Sequence, residues 1–170
     1  QRDRIPNALD LLKKAVLDEH PRVRLEAVRA ASFFRGKDVA AAISIAQDVL
    51  RNPTDYYIDY CFKETLKQLQ SLTTDSVAPT DPVLLASFIS KLDDRELLAL
   101  SPATEPILFA RLERRSYDVS TREKILADLA KLHGTTRGDE LLDALRRLDA
   151  RGGGVAGAIG ELAKAVAMSS

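Results

Sequence analysis

Two histidines, His20 and His133, and a single cysteine, Cys61, are the side chains best suited to acid–base, nucleophilic or metal chemistry in this chain. A zinc or general-base site needs such groups at short helical spacing from one another or from carboxylates. Neither histidine stands in a metal-ligand spacing with acidic or cysteine partners, and both fall at predicted helix ends, where an imidazole is expected to cap carbonyls. Cys61 lies on the apolar side of a predicted helix, so burial is expected to raise its pKa and keep it an unreactive thiol. One cysteine also excludes an internal disulfide, a four-cysteine zinc site and covalent c-type haem attachment within these residues, and it leaves the redox compartment undecided. Gly152-Gly153-Gly154 has no preceding strand and no following Gly-Lys-Ser/Thr, so it is expected to be a flexible joint rather than a phosphate loop. The carboxylate pairs Asp93-Asp94 and Asp139-Glu140 stand at predicted helix starts, where the helix dipole favours negative charge, and they lack calcium-loop spacing. The composition therefore predicts a chain with no catalytic residue, no metal and no cofactor.

A second kind of chemistry is recognition. Tyr56, Tyr60, Lys63 and Lys67 fall opposite the apolar stripe of one predicted helix, and Arg22, Glu26 and Arg29 opposite that of another. Tyrosine and arginine are favoured anchors of protein interfaces, so these seven residues form the candidate protein-binding face. The competing expectation is that the tyrosines pack on an adjoining repeat while the charges are merely solvated. Lysine plus arginine and aspartate plus glutamate each total 25, and the balance holds on both sides of Leu72, so no field of one sign exists to draw in nucleic acid or an anionic membrane. No apolar run is long enough to span a bilayer, since the most apolar stretch, Val155 to Met168, is interrupted by Glu161 and Lys164. The chain begins with Gln1 and shows no targeting pattern, which suggests an excised segment of a larger soluble protein.

The elements that must position these residues are helices. Aromatics are only 5% of the chain, and neither sustained alternation nor an Asn-Gly or Asp-Gly hairpin is present. Apolar residues recur instead at spacings of three and four. Helices are expected from about Asn7 to Leu17, from Pro21 to Gly36 with a stripe of Val23, Ala27, Ala30, Ala31 and Phe34, from Asp38 to Arg51, and from Asp55 to about Leu72 with Ile58, Cys61, Phe62, Thr65, Leu66 and Leu69 on one side. The non-periodic stretch 73–80 is expected to be a linker between a region at 1–72 and a helical-hairpin region at 81–170. Beyond it, Asp81-Pro82, Asp93-Asp94 and Ser101-Pro102 start short helices. A capping box of Ser120 and Glu123 opens a helix carrying Ile125, Leu126, Leu129 and Leu132 and closed by Gly134, and Thr136 with Asp139 opens another carrying Leu141, Leu142, Leu145 and Leu148. A last helix is expected over Val155 to Met168. The expected fold is all-α, an α–α superhelix of about nine to ten helices.

The first two helical pairs align with one another at an offset of roughly 33 to 35 residues, a period at which a pair must stack on its neighbour to cover its apolar face. The run from Leu12 to Val28 resembles the HEAT repeat, in which an aspartate ends the first helix, a proline opens the turn and a valine-arginine pair begins the second helix. Asp18, Pro21, Val23 and Arg24 occupy those places. The resemblance implies a solenoid whose second helices line its concave side, with the aspartate and arginine forming a charged ladder between repeats. In the second pair Arg51 and Asp59 stand where the aspartate and arginine would be, which leaves that part of the ladder open. The stretches Asn52 to Leu66, Leu132 to Gly134 and Leu141 to Asp149 also resemble the helical-repeat region of large planctomycete-type proteins that join a sugar-dehydrogenase-like propeller, HEAT repeats and a c-type cytochrome domain. That resemblance implies an accessory domain outside the cytoplasm. The expected function is a non-catalytic protein-interaction or spacer module whose partner is protein. A DNA-binding solenoid is the alternative that the neutral charge and the absence of tryptophan disfavour.

Overall fold

The structure, a computed structural model, describes Ile5, residues 7–150 and Gly160. Among the described residues there are nine α-helices, two short 3-10 turns and no strand: α1 (Ala8–Ala15), α2 (Pro21–Ala31), α3 (Val39–Asp48), α4 (Tyr56–Gln70), α5 (Pro82–Lys91), α6 (Asp94–Ala99), α7 (Glu105–Leu112), α8 (Val119–His133) and α9 (Arg137–Ala150). The Gly152–Gly154 joint and the helix expected over 155–168 lie outside the described residues.

Local chemistry sets most of the boundaries. Asp55, in extended backbone, accepts a hydrogen bond from the Ile58 amide (2.8 Å) and starts α4. Asp93 and Glu96 cap α6 reciprocally, and the Thr136 hydroxyl and Asp139 exchange the same kind of bonds before α9. Gly134 closes α8 in the left-handed region at φ 70°, where a Cβ would be strained. Three expectations are corrected. The α8 cap is Asp118, not Ser120: its carboxylate takes the Thr121 amide (2.8 Å), so Ser120 falls inside the helix and Glu123 is surplus. The helix expected from Ser101-Pro102 starts at Glu105 behind Thr104, with Pro106 in its first turn. And α2 stops at Ala31, so Gly36 opens the 3-10 turn Gly36–Asp38 instead of ending α2.

The chain forms two compact units that divide between Lys91 and Leu92. In the first, α1 packs with α2 and α3 with α4, while first helix meets first helix (α1 with α3) and second meets second (α2 with α4). Ala27, Val28 and Ala31 of α2, Ile58, Phe62, Leu66 and Leu69 of α4 and Ala42, Ile43, Ile45 and Ala46 of α3 are among the buried residues of these packed helices. Small residues on α2 let α4 approach closely enough for the Thr65 hydroxyl to donate to the Val28 carbonyl (3.3 Å). The segment 73–80 is non-helical and joins α4 to α5 inside this unit. There α5 packs on α3 and sets Phe88 edge-on to Phe62, with ring centroids 6.1 Å apart. In the second unit α6, α7, α8 and α9 pack each on the next around Leu108, Leu112, Ile125, Leu126, Leu129, Leu141, Ala144 and Leu148.

The buried arcs differ from the expected stripes in a consistent way. Val23 (40% exposed), Leu132 (55%) and Leu142 (53%) face outward, contrary to expectation. In α2 the buried arc is Arg24, Ala27, Val28 and Ala31, and in α9 it is Glu140, Leu141, Ala144 and Leu148. A charged side chain takes an inner position in each helix because polar partners wait there.

Candidate functional site

Arg24 is the clearest of these inner charges. Its Nη1 donates to the carbonyls of Asp18 (2.8 Å) and Glu19 (2.9 Å) in the turn between α1 and α2, and its Nη2 reaches the carbonyl of Pro53 (2.8 Å) in the turn between α3 and α4. Both terminal nitrogens of the guanidinium are thus met by backbone dipoles of two successive turns, while Nε is buried without a hydrogen bond. A ladder built on an Asp18 carboxylate is not what forms, because that carboxylate caps the turn by accepting the His20 amide (2.8 Å). His20 in turn accepts the Arg22 amide at its Nδ1 (3.3 Å), capping an amide at the start of α2 where carbonyl capping was expected. In the second pair the signs are exchanged: Arg51 pairs with Asp81 at the start of α5 (3.2 Å), and Asp59 with Lys91 at its end (2.8 Å).

The layer formed by α2 and α4 presents a shallow groove of about 520 Å³ lined by Arg29, Ser32 and Phe33 from the α2 side and by Tyr60, Cys61, Glu64, Thr65, Lys67 and Gln68 from α4. Of the seven residues singled out in the sequence, it brings together Arg29, Tyr60 and Lys67. Glu26 is an ion-pair partner of Arg29 (3.5 Å) and shares with it a second cleft, of about 410 Å³, toward Leu11 and Leu12 of α1. Arg22 and Tyr56 stand on the same two helices, exposed and outside the groove lining, and Lys63 is half-buried on α4. Tyr56 (77% exposed), Tyr57 and Tyr60 face solvent, and Tyr56 meets Tyr57 edge-on at 5.6 Å. Phe33 is a member of the groove that sequence periodicity missed, since it lies beyond the end of α2.

Cys61 lies half-buried in the groove wall, at the margin of the apolar stripe rather than inside it. Burial pushes its thiol pKa up, and bonding to Thr65 offsets this in part. Titration with a disulfide reagent in the native protein is therefore expected to run slower at pH 7 than for an unhindered cysteine and to accelerate as pH rises, because only the thiolate reacts. A fast, pH-independent reaction would contradict this.

The second unit gathers a group of polar and titratable side chains around the α8–α9 turn: His133, Glu140 and Thr135, with Glu105 and Arg147 beside them. Among the described residues no three His, Cys, Asp or Glu side chains are arranged to hold a metal ion, and no helix is long and apolar enough to cross a membrane.

Comparison with family models, curated proteins and solved structures finds no match to this chain.

Proposed function

We propose that this chain is a non-catalytic protein-binding or spacer module built of HEAT-like helical pairs, and that its partner docks along the α2–α4 layer. The observation that carries this is the pairing of second helix with second helix across two consecutive hairpins, clasped turn to turn by Arg24, which leaves a groove walled by Arg29, Tyr60 and Lys67. Repetition of such pairs builds an extended concave surface, the geometry by which α-solenoids bind other chains. The groove walls suit a peptide better than a small molecule: they are open and mix two aromatic rings, two cations and a carboxylate along two adjacent helices. Catalysis by the one thiol is disfavoured by the burial that keeps it protonated.

Selection of a displayed random-peptide library on the full chain, followed by isotherms for the selected peptides, tests this. The variant Tyr60→Ala combined with Lys67→Glu is expected to weaken binding at least about tenfold, since a single interface anchor typically carries more than 1 kcal/mol. Both substitutions fall on exposed positions, so the helical circular dichroism should be unchanged. Peptides that bind wild type and variant equally would sink the groove as the docking surface.

A further inference from the structure

The charges around the α8–α9 turn form a built arrangement for which the docking surface has no use. Glu140 lies in the first turn of α9 with its side chain 4% exposed, and its Oε1 accepts from His133 Nδ1 (2.9 Å) and from the Thr135 hydroxyl. Its Oε2 is buried without a hydrogen bond. His133 ends α8, partly exposed, and turns its other ring nitrogen toward Glu105 Oε2 of α7 (3.8 Å). Arg147 of α9 holds the remaining Glu105 oxygen (3.0 Å), is anchored by Asp143 (2.7 Å) and lies 4.0 Å above the Phe109 ring.

The cluster places one titrating ring between carboxylates from both helices packed on α8. A cation at the C-terminal end of α8 and an anion at the N-terminal end of α9 are each favoured by their helix dipoles. A buried carboxylate with an unsatisfied oxygen, in contrast, is tolerated only while a partner charge compensates it. Lose the proton from His133, and Nδ1 can still donate to Glu140, but the compensating charge disappears and Nε2 becomes a lone pair facing Glu105.

We propose that His133, Glu140 and Glu105 form a pH-sensitive latch on the α7–α8–α9 packing, closed while His133 is protonated and loosened when it is neutral. The surroundings support the direction. Bonding to Glu140 and the nearby charges of Glu140 and Glu105 hold the imidazole pKa above its ordinary 6.5, against burial and the opposing charge of Arg147. A group whose folded-state pKa is raised contributes its full stability below the unfolded value and loses it as pH rises through the folded one. The stability of α9 on α8 should therefore fall as pH climbs above about 6.5. The carboxylates of Asp81, Asp118 and Asp139, held low by helix-start hydrogen bonds, lose their contribution only as pH falls through the acid range, so a window from about pH 5.5 to 8.5 leaves them out, and the control His133→Gln identifies the part that belongs to His133.

The test is a pH titration of the full chain by NMR, with the His133 ring resonances assigned by their loss in His133→Gln and with hydrogen exchange of the Leu141 and Ala144 amides corrected for intrinsic rate. The expected result is a His133 midpoint above 6.5, with α9 protection falling through the same midpoint. His133→Gln should abolish that pH dependence, and Glu105→Gln, which leaves the Glu140 pair intact, should lower the midpoint while the fold is kept. A midpoint at or below 6.5, or a fall in α9 protection that persists in His133→Gln, would overturn the proposal.

Discussion

Replacing Arg122 by methionine is expected to destabilise the second unit by about 3 kcal/mol or more, although no partner, ligand or exposed residue is touched. Arg122 is 2% exposed and donates to three backbone carbonyls: Leu112 (3.1 Å) at the end of α7, and Arg114 (2.7 Å) and Tyr117 (3.1 Å) in the turn before α8. These carbonyls leave α7 with no helical amide to meet, and one fixed guanidinium answers all of them. Methionine fills a similar volume without a donor, so the acceptors must either strand, at roughly 1 to 3 kcal/mol each, or draw in water beside Leu112, which is itself buried. Arg122→Lys should recover only part of the loss, because an ammonium cannot span three carbonyls with the geometry of the fork. Hydrogen exchange of the full chain reads this residue by residue: protection at Leu126 and Leu129 should drop while that at Ile58 and Phe62 of the first unit holds. Unchanged protection at Leu126 would show that the turn finds other donors.

That residue also marks where sequence reasoning stopped. Helix positions were legible because helix starts are local: Pro21 brings no orphan amide to the first turn, Asp55 and the Thr136–Asp139 pair satisfy amides within three residues, and such patterns can be seen in one dimension. Ser120 misled because Asp118, two residues earlier and in extended backbone, already accepts the Thr121 amide and starts the helix before Ser120 is reached. The direction of each buried face was less legible. Counting apolar residues assigns Val23, Leu132 and Leu142 inward and every arginine outward, yet Arg24, Arg111 and Arg122 are buried on carbonyl clusters supplied by turns. Nothing in the spacing of an arginine reveals that a turn elsewhere in the chain has left carbonyls unpaired.

The candidate surface divides along the same line. Arg29, Tyr60 and Lys67 were legible as the outward side of two amphipathic helices, and that they meet in one groove depends on α2 lying directly against α4. His133 was placed correctly at a helix end but given the role of capping carbonyls. Its actual partner, Glu140, is buried by the turn that reverses the chain at Gly134, and Glu105 comes from the far end of another helix. Acidic residues at helix starts look alike in a sequence, and only the packing separates the solvated Asp139 from the buried Glu140.

Arg24→Ala is expected to cost the first unit about 3 kcal/mol, comparable to Arg122, whereas Asp18→Ala should cost only about 1 kcal/mol. The contrast separates two mechanisms that give the same repeat signature. Were a charged ladder holding the pairs together, removing either partner would be similarly damaging, since each would leave the other uncompensated. Here the arginine is 6% exposed and its bonds run to backbone oxygens of two turns, so its loss strands acceptors in both pairs at once, while Asp18 supplies only a turn cap at the surface. Ala27, Val28 and Ala31 bury little area apiece, so the α2–α4 contact depends on Arg24 more than a leucine-rich seam would. Urea unfolding of the two variants, followed through the exchange of the Ile58 and Phe62 amides, measures the difference. Equal losses for Asp18→Ala and Arg24→Ala would restore the ladder, and a large loss confined to Arg24→Ala would establish the clasp between turns as the element that keeps the groove walls in register.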